Sequence, residues 1–346
     1  MRDFKLSSGY VTSTFTERAS GGCEEKKMKP KQPNQSRRQH DVLSVVAPSL
    51  PPAAIAVFFS VLANEAFDIE QITTPIPGRT IEVSLSAREW IDTRQATDLL
   101  ATALRPWQAD VVLQTAAAHR APKRLLFIDM DSTLVQVEGI DELAKEAGVG
   151  ARVVDITHRA MNGELSFKAA LRARVGLLSG LPVSALATVW RRTSLTPGAR
   201  ELVRGLKARG CKVFVLSGGF DYFVSRVQKR LGLDGGYANQ LAVSNGRLTG
   251  EVVGDIVDGK KKLAMMKAIV RREGVSFTET IAIGDGANDL PMIQRAGLGI
   301  AFCAKPNVRA QAPCNITQPT LIAVLDLLGI PVRSGRLARS SARFSG

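Results

Sequence analysis

Cysteine is scarce in this 346-residue sequence, and its few copies are not spaced for binding a metal. Four cysteines occur, Cys23, Cys211, Cys303 and Cys314, with no CxxC pair and no Cys/His spacing among them. An intracellular chain usually keeps such thiols reduced. The sequence therefore predicts neither a thiolate metal site nor a disulfide framework.

Long apolar runs are also absent. The longest, roughly residues 53–63, is interrupted by Ser60, whereas a helix needs about 20 apolar residues to span a bilayer. No basic segment leads into an apolar stretch at the start of the sequence, so no secretory signal is expected. We therefore expect a cytoplasmic protein with no membrane partner.

Acidic residues are too few to balance the basic ones: 32 Asp and Glu face 46 Lys and Arg, a net charge of +14. Residues 1–40 contain nine basic and four acidic residues, and residues 331–346 contain four arginines and no acid. Nine of the fourteen excess charges thus lie in the two ends of the chain. A protein that binds nucleic acid or an acidic partner through these ends is one alternative. Apart from Phe344, the ends lack aromatics interleaved with the basic residues in the way nucleic-acid binding favours, so no nucleic-acid partner is expected.

The length is enough for about two domains. Residues 1–40 are rich in Ser, Thr, Lys, Arg and Gln and have no periodic apolar face, which predicts a disordered basic extension. A transit peptide and a translation start at Met28 are the alternatives. Residues 331–346 are predicted to form a basic tail.

Residues 41–118 form a separate block with the predicted element order βαββαβ. Strand-like segments cover residues 42–46, 71–74, 80–86 and 110–115, and helical segments cover residues 52–66 and about 93–104. This order predicts a ferredoxin-like α+β domain, a fold that by itself indicates no function. The block could serve only to pack against the rest of the chain or to form dimers, which is at least as good an interpretation as any more specific role. Homo-oligomers formed through these residues are therefore one expectation.

Strands alternate with helices from residue 121 to about 330, which predicts an α/β domain with a doubly wound, Rossmann-like parallel sheet. About 80 residues separate its first two strands, more than one crossover helix needs. Residues 141–192 within this stretch have a helical pattern, interrupted at Asn162-Gly163 and at residues 180–182. We expect them to form a small helical cap over the carboxyl edge of the sheet.

Three apolar strands each lead into a polar cluster. The segments are LLFIDMDST (125–133), VFVLSGG (213–219) and IAIGDGAND (281–289). In an open parallel sheet the carboxyl ends of neighbouring strands border one crevice, so these clusters are expected to converge. Four acids would then meet: Asp129, Asp131, Asp285 and Asp289. A hard divalent cation such as Mg²⁺, bound by their oxygens, would relieve their repulsion.

A phosphate monoester suits this set of groups. Asp129 would attack phosphorus and form an aspartyl phosphate, and Asp131 would act as general acid and then as general base. Ser217, the backbone N–H of Gly218 and Lys262 would bind the phosphate oxygens and balance their charge. Two of these residues have ordinary alternatives, because Ser217 could be a helix N-cap and Lys262 taken alone would be a solvated lysine.

The motifs DMDST (129–133), SGG (217–219), Lys262 and GDGAND (284–289) resemble those of the haloacid-dehalogenase-type phosphatases. Longer segments, DMDSTLVQVEGIDELA, ITHRAMNGELSFKAALRARVGLLSGLP, LTPGAR and AGLGIAFCAKP, are similar to the phosphoserine phosphatases within that family. The resemblance runs from about residue 124 to residue 330. Residues 41–118 resemble, more loosely, ACT-like regulatory domains, although they contain no visible ligand signature.

The resemblance implies an Mg²⁺-dependent hydrolase that converts O-phosphoserine to serine and phosphate, the last step of serine biosynthesis. It implies a metal held by Asp129, the Asp131 carbonyl and Asp285. It also implies substrate contacts from Glu138, Arg174, Ser217, Gly218, Lys262 and Asn288, with Met161 and Phe167 lining the pocket. The alternative is a related phosphatase or phosphotransferase that acts on another small phosphomonoester, with water or a second alcohol as the acceptor.

Charge explains the two assignments that lie outside the motifs. Phosphoserine carries an ammonium and a carboxylate beyond its phosphate. Glu138 would bind the ammonium, and Arg174 would bind the carboxylate through a bidentate pair of hydrogen bonds. Phe167 and Arg174 are seven residues apart, so one helical face would carry both an apolar wall and the carboxylate anchor.

Overall fold

The computed structural model describes residues 40–63, 67–87 and 93–332. The predicted extension over residues 1–40 and the predicted tail over residues 331–346 lie almost entirely outside the described residues. All of the described residues belong to one compact unit.

The first block is a four-stranded antiparallel sheet with strand order β2-β3-β1-β4. Its elements are β1 (His40–Val46), α1 (Pro52–Ala63), β2 (Phe67–Thr73), β3 (Thr80–Ala87), α2 (Thr93–Ala103) and β4 (Asp110–Thr115). Alternate residues of β1, such as Leu43 and Val45, pack with Phe58 and Leu62 of α1 in one apolar core. The period-two alternation of a strand therefore meets the apolar stripe of a helix on this face of the sheet.

A seven-stranded sheet forms the rest of the protein, with strand order β11-β10-β9-β5-β6-β7-β8. Every neighbouring pair is parallel except β7 and β8. The elements are α3 (Ala116–Arg120), β5 (Leu125–Ile128), α4 (Gly139–Glu146), α5 (Gly150–Met161), α6 (Phe167–Gly176), α7 (Ser184–Arg192), α8 (Ala199–Lys207), β6 (Lys212–Phe220), α9 (Asp221–Leu231), β7 (Gly235–Ser244), β8 (Arg247–Val253), α10 (Gly259–Glu273), β9 (Thr280–Gly284), α11 (Leu290–Arg295), β10 (Leu298–Phe302), α12 (Pro306–Arg309), β11 (Cys314–Ile316) and α13 (Ile322–Leu327). The predicted α/β domain with a mostly parallel sheet is confirmed.

The central strands have no exposed face. All four residues of β5 and all five of β9 are buried, which is why these segments are continuous apolar runs rather than alternating ones. The exception to parallel pairing is a hairpin, since β7 and β8 are joined by Asn245 and Gly246. Both residues have positive φ values, 48° and 72°, as a two-residue hairpin turn with this sequence requires.

Five described helices, α4 to α8, lie between β5 and β6, and the first four of them cover the segment where the sequence predicts an inserted helical cap. Within the described ranges, no helix is long and apolar enough to cross a membrane.

The two sheets share a continuous interface. Val46 of β1 and Val112 of β4 belong to the same apolar core as the strands of the seven-stranded sheet. Asp110, at the start of β4, accepts hydrogen bonds from the backbone N–H and the hydroxyl of Thr317 at 3.0 and 2.7 Å and from the Gln318 amide at 3.1 Å. Gln318 also donates to the Val46 carbonyl at 3.0 Å. The first block is therefore held by both apolar packing and buried polar contacts.

Candidate active site

Three adjacent strands bring the polar clusters together. β5 lies between β9 and β6, and Ile128 pairs with Ile283 on one side and Val215 on the other. The Asp129 N–H donates to the Ile283 carbonyl at 2.9 Å. Asp129 and Asp285, which follow β5 and β9, and Ser217, near the end of β6, therefore lie at one edge of the sheet.

A buried lysine lies within the acidic cluster. Lys262, on α10, is fully buried, and its Nζ lies 2.8 Å from Asp129 Oδ1 and 2.7 Å from Asp289 Oδ1. Asp129, Asp285 and Asp289 each offer an oxygen within 4.8 Å of the others. The second oxygen of Asp289 accepts the Gly286 N–H at 3.0 Å. Lys262 is thus not a solvated lysine, and both oxygens of Asp289 are used within the protein.

The cluster carries more negative charge than one lysine can balance. Burial and the charges of Asp129 and Asp289 raise the pKa of Asp285 to about 8, although the Thr133 hydroxyl donates to it at 3.0 Å. Burial and the Asp129 charge also raise the pKa of Asp289. For Lys262, burial favours the neutral amine, but the carboxylates of Asp129 and Asp289 outweigh it and raise its pKa above the usual range. This imbalance favours an additional cation.

Asp131 is enclosed on two sides. Its Oδ1 accepts the Gly139 N–H at 2.9 Å, and a Cβ added to Gly219 would lie only 2.2 Å from its Oδ2. Burial, followed by the nearby charges of Glu138 and Asp129, raises the pKa of Asp131 well above its ordinary value. Asp131 is therefore a carboxylic acid that can hold a proton and donate it.

Residues 217–219, near the end of β6, are held by polar contacts. Ser217 is buried, and its Oγ accepts the Gly219 N–H at 2.9 Å. The N-cap of α9 is Phe220, so Ser217 is not a helix cap. The Asn239 side chain fixes these residues, because it donates to the Gly218 carbonyl at 2.8 Å and accepts the Val257 N–H at 2.8 Å.

Glu138 and Arg174 lie close enough to Asp131 to interact with it electrostatically. Glu138 Oε1 accepts the Ser132 hydroxyl at 2.7 Å, and Ser132 has a left-handed φ of 54°. Arg174 is partly buried, and its Nε donates to the Ala170 carbonyl at 3.4 Å. Burial lowers the pKa of Arg174, whereas the charges of Asp141, Glu138 and Asp131 raise it. The guanidinium is therefore close to carboxylates of both the cap and the strand-end loop.

Three predicted residues remain: Asn288, expected to contact substrate, and Met161 and Phe167, expected to line the pocket. A Cβ added to Gly218 would meet the Phe167 ring at 3.0 Å and the Asn288 amide at 3.3 Å. Met161, at the end of α5, is 62% exposed, and its Sδ lies 3.9 Å from Lys305 Nζ. Phe167 and Asn288 thus lie beside Gly218, whereas Met161 is largely exposed to solvent.

Sequence reasoning missed several supporting residues. Thr133 was part of the DMDST motif but received no role, although its hydroxyl contacts Asp285. Asn239 lies within a strand, and only its burial among polar groups distinguishes it. The Gly139 N–H is a backbone group that carries no sequence signal.

Comparisons with known proteins identify the family of this chain. Residues 123–297 match the family model for haloacid dehalogenase-like hydrolases. A phosphoserine phosphatase from Archaeoglobus fulgidus is 50% identical over 222 residues, which are 64% of this chain and 64% of that protein. A phosphoserine phosphatase from Streptomyces coelicolor is 40% identical over 291 residues, covering 84% of this chain and 70% of that protein.

A solved structure is similar as well. It is described as a phospho-aspartyl intermediate analogue of phosphoserine phosphatase, with a TM-score of 0.56 and 45% identity. The similarity covers 59% of this chain and 98% of that one.

Proposed function

The chain belongs to the haloacid dehalogenase-like hydrolases, and from that membership we propose that it is a phosphoserine phosphatase. The observation that carries the proposal is the convergence of Asp129, Asp285 and Asp289 on the buried ammonium of Lys262. An acidic group beside a fixed cation suits transfer of a phosphoryl group to a carboxylate. The two relatives described above carry the same activity in their names.

The residues present fit a magnesium ion. Their donors are carboxylate oxygens, the ligands that Mg²⁺ prefers. Burial, together with the charges of Asp129 and Asp289, raises the pKa of Asp285, and a bound cation would offset both effects. Asp129, Asp285 and the main-chain carbonyl of Asp131 would hold the ion, because both oxygens of Asp289 already have protein partners. A bound Mg²⁺ would neutralise charge on the transferring phosphoryl group.

In the first chemical step, an Asp129 oxygen attacks phosphorus and the bond from phosphorus to the serine oxygen breaks. Asp131 donates its proton to the departing serine oxygen, so serine leaves as an alcohol. Ser217 and the Gly218 N–H bind phosphate oxygens, and Lys262 balances their charge. The product of this step is an aspartyl phosphate on Asp129.

The second step returns the enzyme to its starting state. Asp131, now a carboxylate, accepts a proton from a water molecule whose oxygen attacks phosphorus. The bond from phosphorus to Asp129 breaks, and inorganic phosphate leaves. Asp131 is then protonated again, so protons balance over the cycle.

Selection of phosphoserine follows from charges at the opening. Glu138 binds the substrate ammonium, held in place by the Ser132 hydroxyl at 2.7 Å. Arg174 binds the carboxylate through two parallel hydrogen bonds. Asn288 lies beside Gly218 and contacts the bound substrate, and Phe167 supplies the apolar wall.

The outer parts of the chain have supporting roles in this proposal. The element order βαββαβ and the strand order β2-β3-β1-β4 support a ferredoxin-like, ACT-like domain over residues 41–118. Residues 121–330 then form the catalytic domain, with the helical cap at about 141–192. A cytoplasmic location and homo-oligomers formed through the first domain stay predictions.

The test is phosphate release from a panel of phosphorylated amino acids and sugars, with Mg²⁺ or with a chelator. We expect the highest kcat/KM for phosphoserine and no turnover in the chelator. A preference for another phosphomonoester would favour a related phosphatase. Transfer of phosphate to an added alcohol in place of water would favour a phosphotransferase.

A further inference from the structure

One carboxylate links the cap to the helix that carries Lys262. Asp258 is the N-cap of α10, and its Oδ1 accepts the Lys261 N–H at 2.8 Å. Its Oδ2 lies 3.3 Å from Nζ of Lys168, in the first turn of α6. Because Arg174 lies on α6, the two oxygens of Asp258 connect the phosphate-binding helix to the helix of the carboxylate-binding arginine.

The same end of α6 rests on Gly218, in the proposed phosphate-binding segment at the end of β6. Phe167 precedes Lys168, and its ring would contact a Cβ on Gly218 at 3.0 Å. The first turn of α6 is therefore fixed at two points, one at Gly218 near the end of β6 and one at the start of α10. A rigid helix held in this way also fixes Arg174, two turns later, relative to Lys262.

The link to Lys168 is ionic. Burial raises the pKa of Asp258, but the Lys261 N–H and the Lys168 ammonium outweigh it, so the pKa lies below the usual range. The carboxylate is therefore charged at neutral pH. The Lys168 side chain is 49% exposed and that of Asp258 18% exposed, so salt should weaken the pair.

We propose that Asp258 and Lys168 are positioning residues that set the distance between the phosphate subsite and the carboxylate subsite. This inference rests on the proposed function, because it concerns which phosphomonoester is preferred. A substrate that reaches both subsites at once, as phosphoserine does, benefits from the fixed distance. An aryl phosphate, which occupies only the phosphate subsite, does not.

The experiment separates the two roles of Asp258. Asp258→Asn keeps an N-cap, since Asn caps helices about as well as Asp, but removes the charge that holds Lys168. Lys168→Met removes the ammonium and keeps an apolar side chain. Each variant should lower the ratio of kcat/KM for phosphoserine to kcat/KM for 4-nitrophenyl phosphate about two- to five-fold, the range for a partly exposed ion pair. The double variant should be no worse than either single variant, because both remove one interaction.

A matched control is available elsewhere in the chain. Lys207 and Asp234 form an ion pair of similar length, 3.1 Å, with side chains 37% and 26% exposed. Lys207→Met should leave the substrate ratio unchanged. Asp258→Ala also removes the helix cap, so it should lower kcat/KM for both substrates by loosening the first turn of α10. In wild-type enzyme, high salt should lower the ratio towards that of the variants.

Failure of this inference can be distinguished from failure of the proposed function. A wild-type enzyme that does not hydrolyse phosphoserine would overturn the proposed function. A wild-type enzyme that prefers phosphoserine, with the same substrate ratio in Asp258→Asn and Lys168→Met, would overturn the positioning role alone. Independent effects that multiply in the double variant would also overturn it.

Discussion

Two aspartates of the same motif are placed in different surroundings. Asp129 lies 2.8 Å from the Lys262 ammonium, whereas Asp131 is packed against Gly219 and the Gly139 N–H. Burial and the charges of Glu138 and Asp129 oppose ionisation of Asp131. The carboxyl that must deliver a proton therefore lies in surroundings that favour its protonated form.

The Asp131→Asn variant tests that role. An amide cannot donate the proton to the serine oxygen, so kcat for phosphoserine should fall by about 10²- to 10⁴-fold. Because the pKa of Asp131 is raised, wild-type activity in the first step should be retained below that pKa and lost as pH rises through it. The measurement is kcat/KM against pH for both enzymes. If kcat/KM of Asp131→Asn fell at high pH in the same way as that of the wild type, the assignment would be contradicted.

Substrate identity depends on Arg174 and Glu138. Arg174→Ala and Glu138→Gln should each lower kcat/KM for phosphoserine by roughly 10- to 150-fold, the loss expected from about 1.5 to 3 kcal/mol for a charged contact. Arg174→Lys should recover part of the loss, because an ammonium cannot form the two parallel bonds of a guanidinium.

The comparison substrate is an aryl phosphate, which lacks both charged groups. Its kcat/KM should change little in these variants. An unchanged ratio between the two substrates in both Arg174→Ala and Glu138→Gln would leave the phosphatase chemistry standing and remove phosphoserine as the preferred substrate.

The sequence indicated the reacting residues better than their supports. Asp129, Asp285 and Ser217 follow apolar strands, so a general rule about parallel sheets predicts their convergence. Asn239 could not be found in this way, because its partners, the Gly218 carbonyl and the Val257 N–H, are backbone groups. The pairing of Lys168 with Asp258 likewise depends on how the cap is placed on the sheet.

At the scale of elements, the strand order carries information that local pattern does not. The apolar run of β5 identifies a buried strand, but its position between β9 and β6 depends on packing of the crossover helices on the two faces of the sheet. The interface between the two sheets also could not be predicted from the sequence. It depends on Asp110, which in the sequence is an ordinary acidic residue at the start of a strand. Only the fold brings Thr317 and Gln318 within hydrogen-bonding distance of it.

Asp110→Asn tests that interface. Both carboxylate oxygens of Asp110 accept hydrogen bonds, so an amide would place its N–H₂ group opposite a donor. The free energy of unfolding should fall by about 1–3 kcal/mol, measured as a lower urea midpoint. The control is Glu164→Gln, which breaks the ion pair with Arg159, whose side chains are 49% (Arg159) and 51% (Glu164) exposed. It should change the free energy of unfolding by no more than about 0.5 kcal/mol. Equal midpoints for the two variants would contradict a stabilising role for Asp110.

At the scale of the whole molecule, we expect the first block to contribute to stability rather than chemistry. Every residue assigned to the reaction lies between Asp129 and Asn288, while Val46 and Val112 complete an apolar core shared with the catalytic domain. Arg79 of the first block also pairs with the buried Asp326. Removing the block would therefore expose apolar surface and leave Asp326 without this arginine.

A chain that starts at Arg120 should keep measurable turnover of phosphoserine but unfold at a lower temperature. The control is a chain that starts at residue 40, which retains every described residue and should match the full chain in both properties. Thermal unfolding and phosphate release measure the two effects. A folded Arg120 chain with no activity at any substrate concentration would show that the first block contributes to the site.

The most direct test of the mechanism is to identify the residue that becomes phosphorylated. Wild-type enzyme is mixed with phosphoserine and Mg²⁺, quenched in acid during turnover, and its peptides are analysed by mass spectrometry. The phosphoryl group should lie on Asp129, and Asp129→Asn should fold normally, give no labelled peptide and show no turnover, because an amide is not a competent nucleophile at phosphorus. A phosphoryl group on Ser217 or Ser132, or turnover that persists in Asp129→Asn, would contradict the mechanism.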